Sequence, residues 1–487
     1  MAIERLPTGI AHLDAILGGG IPKYSTILIA GPPGTGKTVL THQVVFHNAT
    51  PEHPALIITT LSEPLARMVQ FMQQFAFFDT SQIQQSVFYE DVGPWVLQGN
   101  VEAAMEAVLT RVKEIQPALL VIDSIKAFLD VAATSEALRR ALYRLAATLA
   151  TLPCTAFLVG EFVADFHHSP TASIVDGIIE LRSQPLGVSE RRTLQVHKLR
   201  GSTYVPGEHT YLITEQGIRL FPRFITPPKP VPHTISTERV PTGINGLDAM
   251  LHGGLLKGTS VLLAGDPGVG KTVTALHFLL NGAQMGDAGI YLSFQEDPYQ
   301  LRYIARNFGF DVERLEQEGR VRFLYQSPVE INPDALALTL IQAVEHLNAT
   351  RVVIDSIRDL EAGTYHDPYR FFNYVYSLVQ WFKDRRVTVL LTSEIGTMFG
   401  TDLTLTGYGI SHIADTLVVM RYAPTDRGVT RVMAVLAARG SAHSHEVREF
   451  RISEADGVVI GDVQRGSLIL QDYAKGDHTR YEGTGAT

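Results

Sequence analysis

Short apolar runs recur along the chain without the alternation of a half-exposed strand. STILIAG (25–31), ALIITT (55–60), ALLVID (118–123) and TAFLVG (155–160) lie in the first half. SVLLAG (260–265), GIYLSF (289–294), RVVID (351–355) and TVLLTS (388–393) lie in the second. Runs of this length predict strands buried on both faces, as in a parallel sheet covered by helices. Longer stretches with helical spacing, such as VLTHQVVFHNA (39–49) and VTALHFLLNGA (273–283), stand between them. The alternation predicts an α/β fold.

The pattern occurs twice. ERLPTGIAHLDAILGGGIPKYSTILIAGPPGTGKTVL begins at Glu4, and ERVPTGINGLDAMLHGGLLKGTSVLLAGDPGVGKTVT begins at Glu238, aligned without a gap. LLVIDSI (119–125) is answered by VVIDSI (352–357), and KLRGS (198–202) by AARGS (437–441). A repeat unit of roughly 230–240 residues is far longer than a solenoid repeat, so each unit is a whole domain. The expected division is a first domain over 1–224, a proline-rich linker over 225–234, a second domain over 235–460 and a polar, Gly-rich tail over 461–487. The join reads FITPPKPVPHT (224–234), and its prolines favour an extended spacer.

Composition narrows the function classes. The chain has 487 residues, a net charge of −9 and one cysteine, Cys154. An acidic balance disfavours nucleic-acid binding, which needs clustered Lys and Arg. One cysteine allows no intrachain disulfide, which fits a reducing compartment. No run is long enough to span a membrane, and the N-terminal stretch MAIERLPTGIAHLD reads against a signal peptide. The expectation is a soluble, cytoplasmic protein.

The chemistry lies where the runs end. GPPGTGKT (31–38) and GDPGVGKT (265–272) both fit G-x-x-x-x-G-K-[ST], each after an apolar run and before a helical pattern. The residues Gly31, Gly34, Thr35, Gly36, Lys37 and Thr38, and Gly265, Gly268, Val269, Gly270, Lys271 and Thr272, are expected to cradle the phosphates of ATP. Lys37 and Lys271 reach the β/γ-phosphates in this reading, and Thr38 and Thr272 ligate Mg²⁺. Asp123 and Asp355, each ending a run in VIDS, are expected in the Mg²⁺ shell. Glu63 and Glu296, after the second run of each repeat, are candidates to orient or deprotonate the nucleophile.

These motifs in this order resemble the KaiC family of tandem RecA-like ATPases and autokinases. The resemblance covers about residues 4–460 and implies two RecA-like P-loop domains, each a mainly parallel twisted sheet flanked by helices. It also implies a two-tiered homohexamer with nucleotide between neighbouring subunits and a signalling or clock partner protein. In the family, Lys and Arg of the K-x-R-G-[ST] segment reach the neighbour's nucleotide. Lys198 and Arg200 match in the first domain; in the second, Arg439 matches the Arg, while Ala437 stands where Lys is expected. In LTGYGISHIADT (405–416), Ser411 matches the family's phosphorylated Ser, His412 sits at the adjacent Thr, and Thr406 matches a Thr modified transiently.

The sequence departs from the family at the base. Adjacent Glu-Glu is expected in each domain; the pairs here are Ser62-Glu63 and Gln295-Glu296. Slow turnover is the expectation, since Gln cannot accept a proton. The tail after residue 460 lacks a match to the cyanobacterial tail. Two rival readings stand beside a KaiC-like ATPase with Ser autokinase activity. One is a ring scaffold that binds ATP without turnover; the other is a DNA-handling ATPase of the RecA/RadA type.

Overall fold

A computed structural model of the chain describes residues 3–60, 65–131, 135–161, 174–186, 189–225, 236–362, 368–395, 412–425 and 428–463. The chain divides into two compact units, Met1–Arg223 and Phe224–Thr487.

Among the described residues, each unit is built on a nine-stranded sheet. In the first, the order runs from Val87–Asp91 through Ala55–Thr59, Leu119–Asp123, Thr155–Gly160 and Thr26–Ala30 to Gly177–Leu186, with all neighbours parallel. Ser189–Leu199, Glu208–Thr214 and Gly217–Phe221 then extend it antiparallel. The second unit repeats this plan. Val321–Tyr325, Gly289–Ser293, Arg351–Asp355, Thr388–Glu394, Ser260–Gly265 and Thr416–Thr425 are parallel. Gly428–Ala438, Arg448–Ser453 and Gly457–Val463 complete it antiparallel. This is the tandem RecA-like α/β architecture expected from the sequence.

Burial explains the uninterrupted apolar runs. Every residue of Ser260–Gly265 is buried, as is every residue of Arg351–Asp355. Alternate residues of the central strands enter different cores. Tyr291, Val353 and Leu390 pack with Leu279 on one face, whereas Ile290, Val352 and Val389 pack with Leu340 and Phe382 on the other. The antiparallel strands carry more polar positions, because only part of their surface is covered; Glu208–Thr214 holds three buried residues among seven.

The opening motif of each repeat has a structural job. Arg239 donates through Nη1 to the carbonyls of Leu251 (3.0 Å) and Gly254 (2.9 Å), and through Nη2 to Ser441 Oγ at 2.7 Å. Arg5 does the same in the first unit, reaching Gly20 O at 3.2 Å and Ser202 Oγ at 2.7 Å. The Arg of E-R-[LV]-P-T-G thus ties the start of each domain to the Ser of its late R-G-S segment. The Asp of the motif closes the turn it follows. Asp248 Oδ1 accepts from Thr242 N and Thr242 Oγ1, both at 2.7 Å, and Asp14 Oδ1 accepts from Thr8 N at 2.9 Å.

Replacing Arg239 with Met keeps the stem and removes these charge-assisted bonds. The expected cost is about 2 kcal/mol of stability, read as a lower denaturant midpoint for the second unit's transition. Ser441→Ala, which removes one of those bonds, is expected to cost about 1 kcal/mol.

Candidate functional site

The phosphate loops sit at the carboxyl end of the central parallel strand of each unit. Thr26–Ala30 leads through 31–36 into the helix Lys37–Asn48, and Ser260–Gly265 leads through 266–270 into Lys271–Gln284. The residue before each helix needs glycine. Gly36 has φ 85° and Gly270 φ 115°, and a Cβ would lie 2.7 Å from Ile213 Cδ1 or 2.2 Å from Ile452 Cδ1. Val269 and Thr35 are fully buried and pin the loops from beneath. Thr35 Oγ1 donates to Pro32 O at 2.9 Å, and Tyr211 OH donates to Thr35 O at 2.5 Å.

Each loop lysine is drawn inward. Lys37 Nζ donates to Pro32 O at 2.8 Å. Lys271 Nζ donates to Gly265 O (3.1 Å) and Asp266 O (3.0 Å) and stands 4.0 Å from Glu394. Burial lowers the pKa of both ammonium groups, opposed by Glu161 and Asp123 in the first unit and chiefly by Glu394 and Asp355 in the second. The loop threonines meet the strand-end carboxylates. Thr38 Oγ1 donates to Asp123 Oδ2 at 2.7 Å, and Thr272 Oγ1 to Asp355 Oδ2 at 2.8 Å. Burial raises the pKa of Asp123, opposed by Thr38 and Lys37.

In the second unit these groups surround a cavity of about 290 Å³ lined by Gly268, Gly270, Lys271, Thr272, Val273, Gln295, Glu296, Asp355, Ser356 and Glu394. Of the acids after the second strand, only Glu296 lines it. Asp297 caps the helix Pro298–Asn307, accepting from Tyr299 N and Gln300 N. Gln295 Nε2 donates to Asp359 Oδ1 at 3.3 Å. Glu63 and Ser62 lie outside the described residues. Strand register still sets the count: Thr59 pairs with Asp123 and Ser293 with Asp355. Glu63 is the fourth residue after Thr59, as Asp297 is after Ser293, so Ser62 is the one level with Glu296.

Lys198, Arg200 and Arg439 stand apart from the loops of their own units. Lys198 pairs with Ile178 in the sheet, and its Nζ donates to Val175 O at 2.6 Å. Burial lowers its pKa, and Arg200 adds to this. Exposed Arg200 lies 3.3 Å from Asp176 Oδ1, and Asp176 Oδ2 accepts from Thr26 N at 3.0 Å. Thr26 opens the strand whose far end carries the loop, roughly 13–17 Å away at the rise of a strand. Exposed Arg439 repeats this placement, its backbone N donating to Asp415 O while Asp415 Oδ2 accepts from Ser260 N. Ser411 and Thr406 lie outside the described residues. Exposed His412 precedes Ile413, whose carbonyl accepts from Ser260 Oγ at 3.1 Å, at this same edge.

Glu394, Tyr291 and Thr392 belong to the second site and were missed by the sequence reading. The duplication held a signal for Glu394. TAFLVGE and TVLLTSE both end in Glu, as Glu161 and Glu394.

Two parallel-sheet units, each gathering Lys, Thr and a strand-end Asp around a glycine-bent loop, define a tandem P-loop ATP-binding chain. A family model described as "ATPase: KaiC" matches residues 6–224 and 240–465. The chain belongs to the KaiC family of tandem RecA-like P-loop ATPases. It is 28% identical over 471 residues to the circadian clock oscillator protein KaiC of a Picosynechococcus species, covering 94% of this chain and 90% of the relative. It is 27% identical over 466 residues to KaiC of Rippkaea orientalis, covering 93% and 88% respectively. It is 28% identical over 475 residues to KaiC 1 of a Synechocystis species, covering 94% and 89%. Among the described residues no helix is long and apolar enough to cross a membrane.

Burial raises the Glu296 pKa above the ordinary 4.5, and Asp355 adds to it. Between the unfolded and the folded value, the folded chain therefore retains a proton that the unfolded chain has released. Stability linked to this group is full below the unfolded value and is lost as pH rises through the folded one. Glu296→Gln is expected to flatten this part of the pH profile and to stabilise the nucleotide-free second unit at neutral pH. Denaturant midpoints measured across the acid-to-neutral range check it; parallel profiles for both proteins contradict it.

Proposed function

We propose that the chain binds Mg·ATP in both units, assembles as a homohexamer with nucleotide at subunit boundaries, hydrolyses ATP slowly, and transfers phosphate to Ser411 in the second unit. The observation that carries this reading is the convergence of Lys271, Thr272, Asp355 and Glu296 on one cavity. The all-oxygen set of Thr hydroxyl and Asp carboxylate suits a hard cation such as Mg²⁺. Thr272 and Asp355 would hold it in the second unit, and Thr38 and Asp123 in the first. When bound, Mg²⁺ neutralises charge on the phosphates.

The chain's own groups then divide the work. Lys37 and Lys271 exchange carbonyl partners for phosphate oxygens. Glu296 accepts the proton of the nucleophile at its carboxylate, and its raised pKa moves it toward the working range of a base. Gln295, engaged with Asp359, adds no proton acceptor. Glu63 is the first unit's acid in this proposal, although its count level with Asp297 makes that site the slower one.

Assembly is supported by the far-edge placement of Lys198, Arg200 and Arg439. A cation remote from its own loop can complete a neighbour's site, where it stabilises charge on the transferring phosphoryl group. Ser411 follows the same logic, because His412 beside it stands at the edge opposite its own loop. A role in signalling or circadian-type regulation through a partner protein, in the cytoplasm, completes the proposal. Ser62 and Gln295 in place of carboxylates favour one rival, a ring scaffold that holds ATP without turnover.

Incubation with γ-labelled ATP and Mg²⁺ tests the proposal. Protein-bound label and released phosphate are both expected, with label lost in Ser411→Ala and the rate of labelling lowered about 10²–10⁴-fold in Glu296→Gln. Label that persists in Ser411→Ala contradicts the acceptor. Bound ATP with neither product establishes the scaffold instead.

A further inference from the structure

The two repeats differ in what holds the strand-end carboxylate. Asp355 Oδ2 accepts from Thr272 Oγ1 at 2.8 Å and from Tyr291 OH at 2.6 Å, and Asp355 Oδ1 accepts from Thr392 Oγ1. Tyr291 is fully buried, pairs with Val353 and reaches diagonally along the same sheet face to Asp355. Thr392, also fully buried, follows the pair Ile354–Leu391 and so lies level with Asp355. In the first unit these positions are hydrocarbon. Ile57 pairs with Val121, and Val159 pairs with Asp123. Among the described residues, Thr38 is the only side chain that donates to Asp123.

A carboxylate offers about four lone-pair sites. Three hydroxyl donors leave Asp355 about one; a single donor leaves Asp123 about three. Two effects oppose each other. Each hydroxyl withdraws charge that a cation would use, yet each also fixes the carboxylate before the cation arrives. The measured scale decides between them, since loss of an outer-shell partner costs about 10–100-fold in metal affinity. Fixing matters most for Mg²⁺, which demands near-ideal octahedral geometry.

We propose that Tyr291 and Thr392 are positioning residues that lock Asp355 for a divalent cation, so that the two nucleotide sites of one chain bind that cation unequally, the second more tightly. This rests on the Mg·ATP reading above. Tyr291 and Thr392 act through Asp355 and touch neither nucleotide nor cation.

The test titrates the full chain, saturated with a non-hydrolysable ATP analogue, with Mn²⁺ as the probe, reading free Mn²⁺ by electron paramagnetic resonance. Two classes of Mn²⁺ site are expected, about tenfold or more apart. In Tyr291→Phe/Thr392→Val the tighter class is expected to weaken about 10–100-fold toward the other. Analogue affinity in chelator is expected to stay unchanged, a separation that a merely structural role would not produce. Tyr291→Phe alone keeps the ring against Phe323 and gives a part of the shift if the double variant fails to fold. A single class in the unsubstituted chain, or two classes that neither variant moves, overturns the proposal. No analogue-dependent Mn²⁺ binding at all overturns the Mg·ATP reading, and the proposal with it.

Discussion

Each unit is organised around a lysine ammonium held out of water at the carboxyl end of a parallel sheet. Lys37 and Lys271 are both buried, and a buried charge must be compensated. Loop carbonyls and strand-end acids supply that compensation, but the arrangement stays incomplete. Desolvation still lowers both lysines, while it raises Asp123 and Glu296. A polyphosphate with its cation would satisfy both groups at once, offering anionic oxygens to the lysine and positive charge to the acids. The parallel topology makes this possible, because it brings the ends of four neighbouring strands to one edge.

The same constraint accounts for what was legible in the sequence. Strands buried on both faces leave uninterrupted apolar runs, so the central sheet and the loops that follow its strands could be read directly. Asp123 and Asp355 were legible because each terminates such a run. Among the antiparallel strands, Glu208–Thr214 and Arg448–Ser453 gave no comparable signal, since exposed and polar positions interrupt their apolar residues. Tyr291 and Thr392 were hidden for a different reason. In sequence they are ordinary strand residues, and only register places them beside Asp355. The R-G-S segments combined two physical roles. Their Arg stands exposed at the far edge, while Ser202 and Ser441 are bound by Arg5 and Arg239 within the same unit.

Duplication gave the chain two copies of one constellation, and the copies have diverged around an unchanged core. Lys, Thr and Asp occupy the same places in both. The surroundings differ: Tyr291 and Thr392 replace Ile57 and Val159, Ser62 stands level with Glu296, and Ala437 stands at the place of Lys198. The differences in carboxylate support and acid count favour the second unit as the site of chemistry. In the proposed assembly, the retained Lys198 and Arg200 favour the first unit as the source of cations. The two copies of one fold can diverge in this way because the loop geometry depends on backbone and glycine while the surroundings depend on a few side chains.

The account's central claim is that one chain holds two nucleotide sites. Native mass spectrometry of the intact protein in Mg²⁺ and ATP counts them directly. Two nucleotides per chain is the result expected; a saturated protein with one per chain, or none, would contradict it.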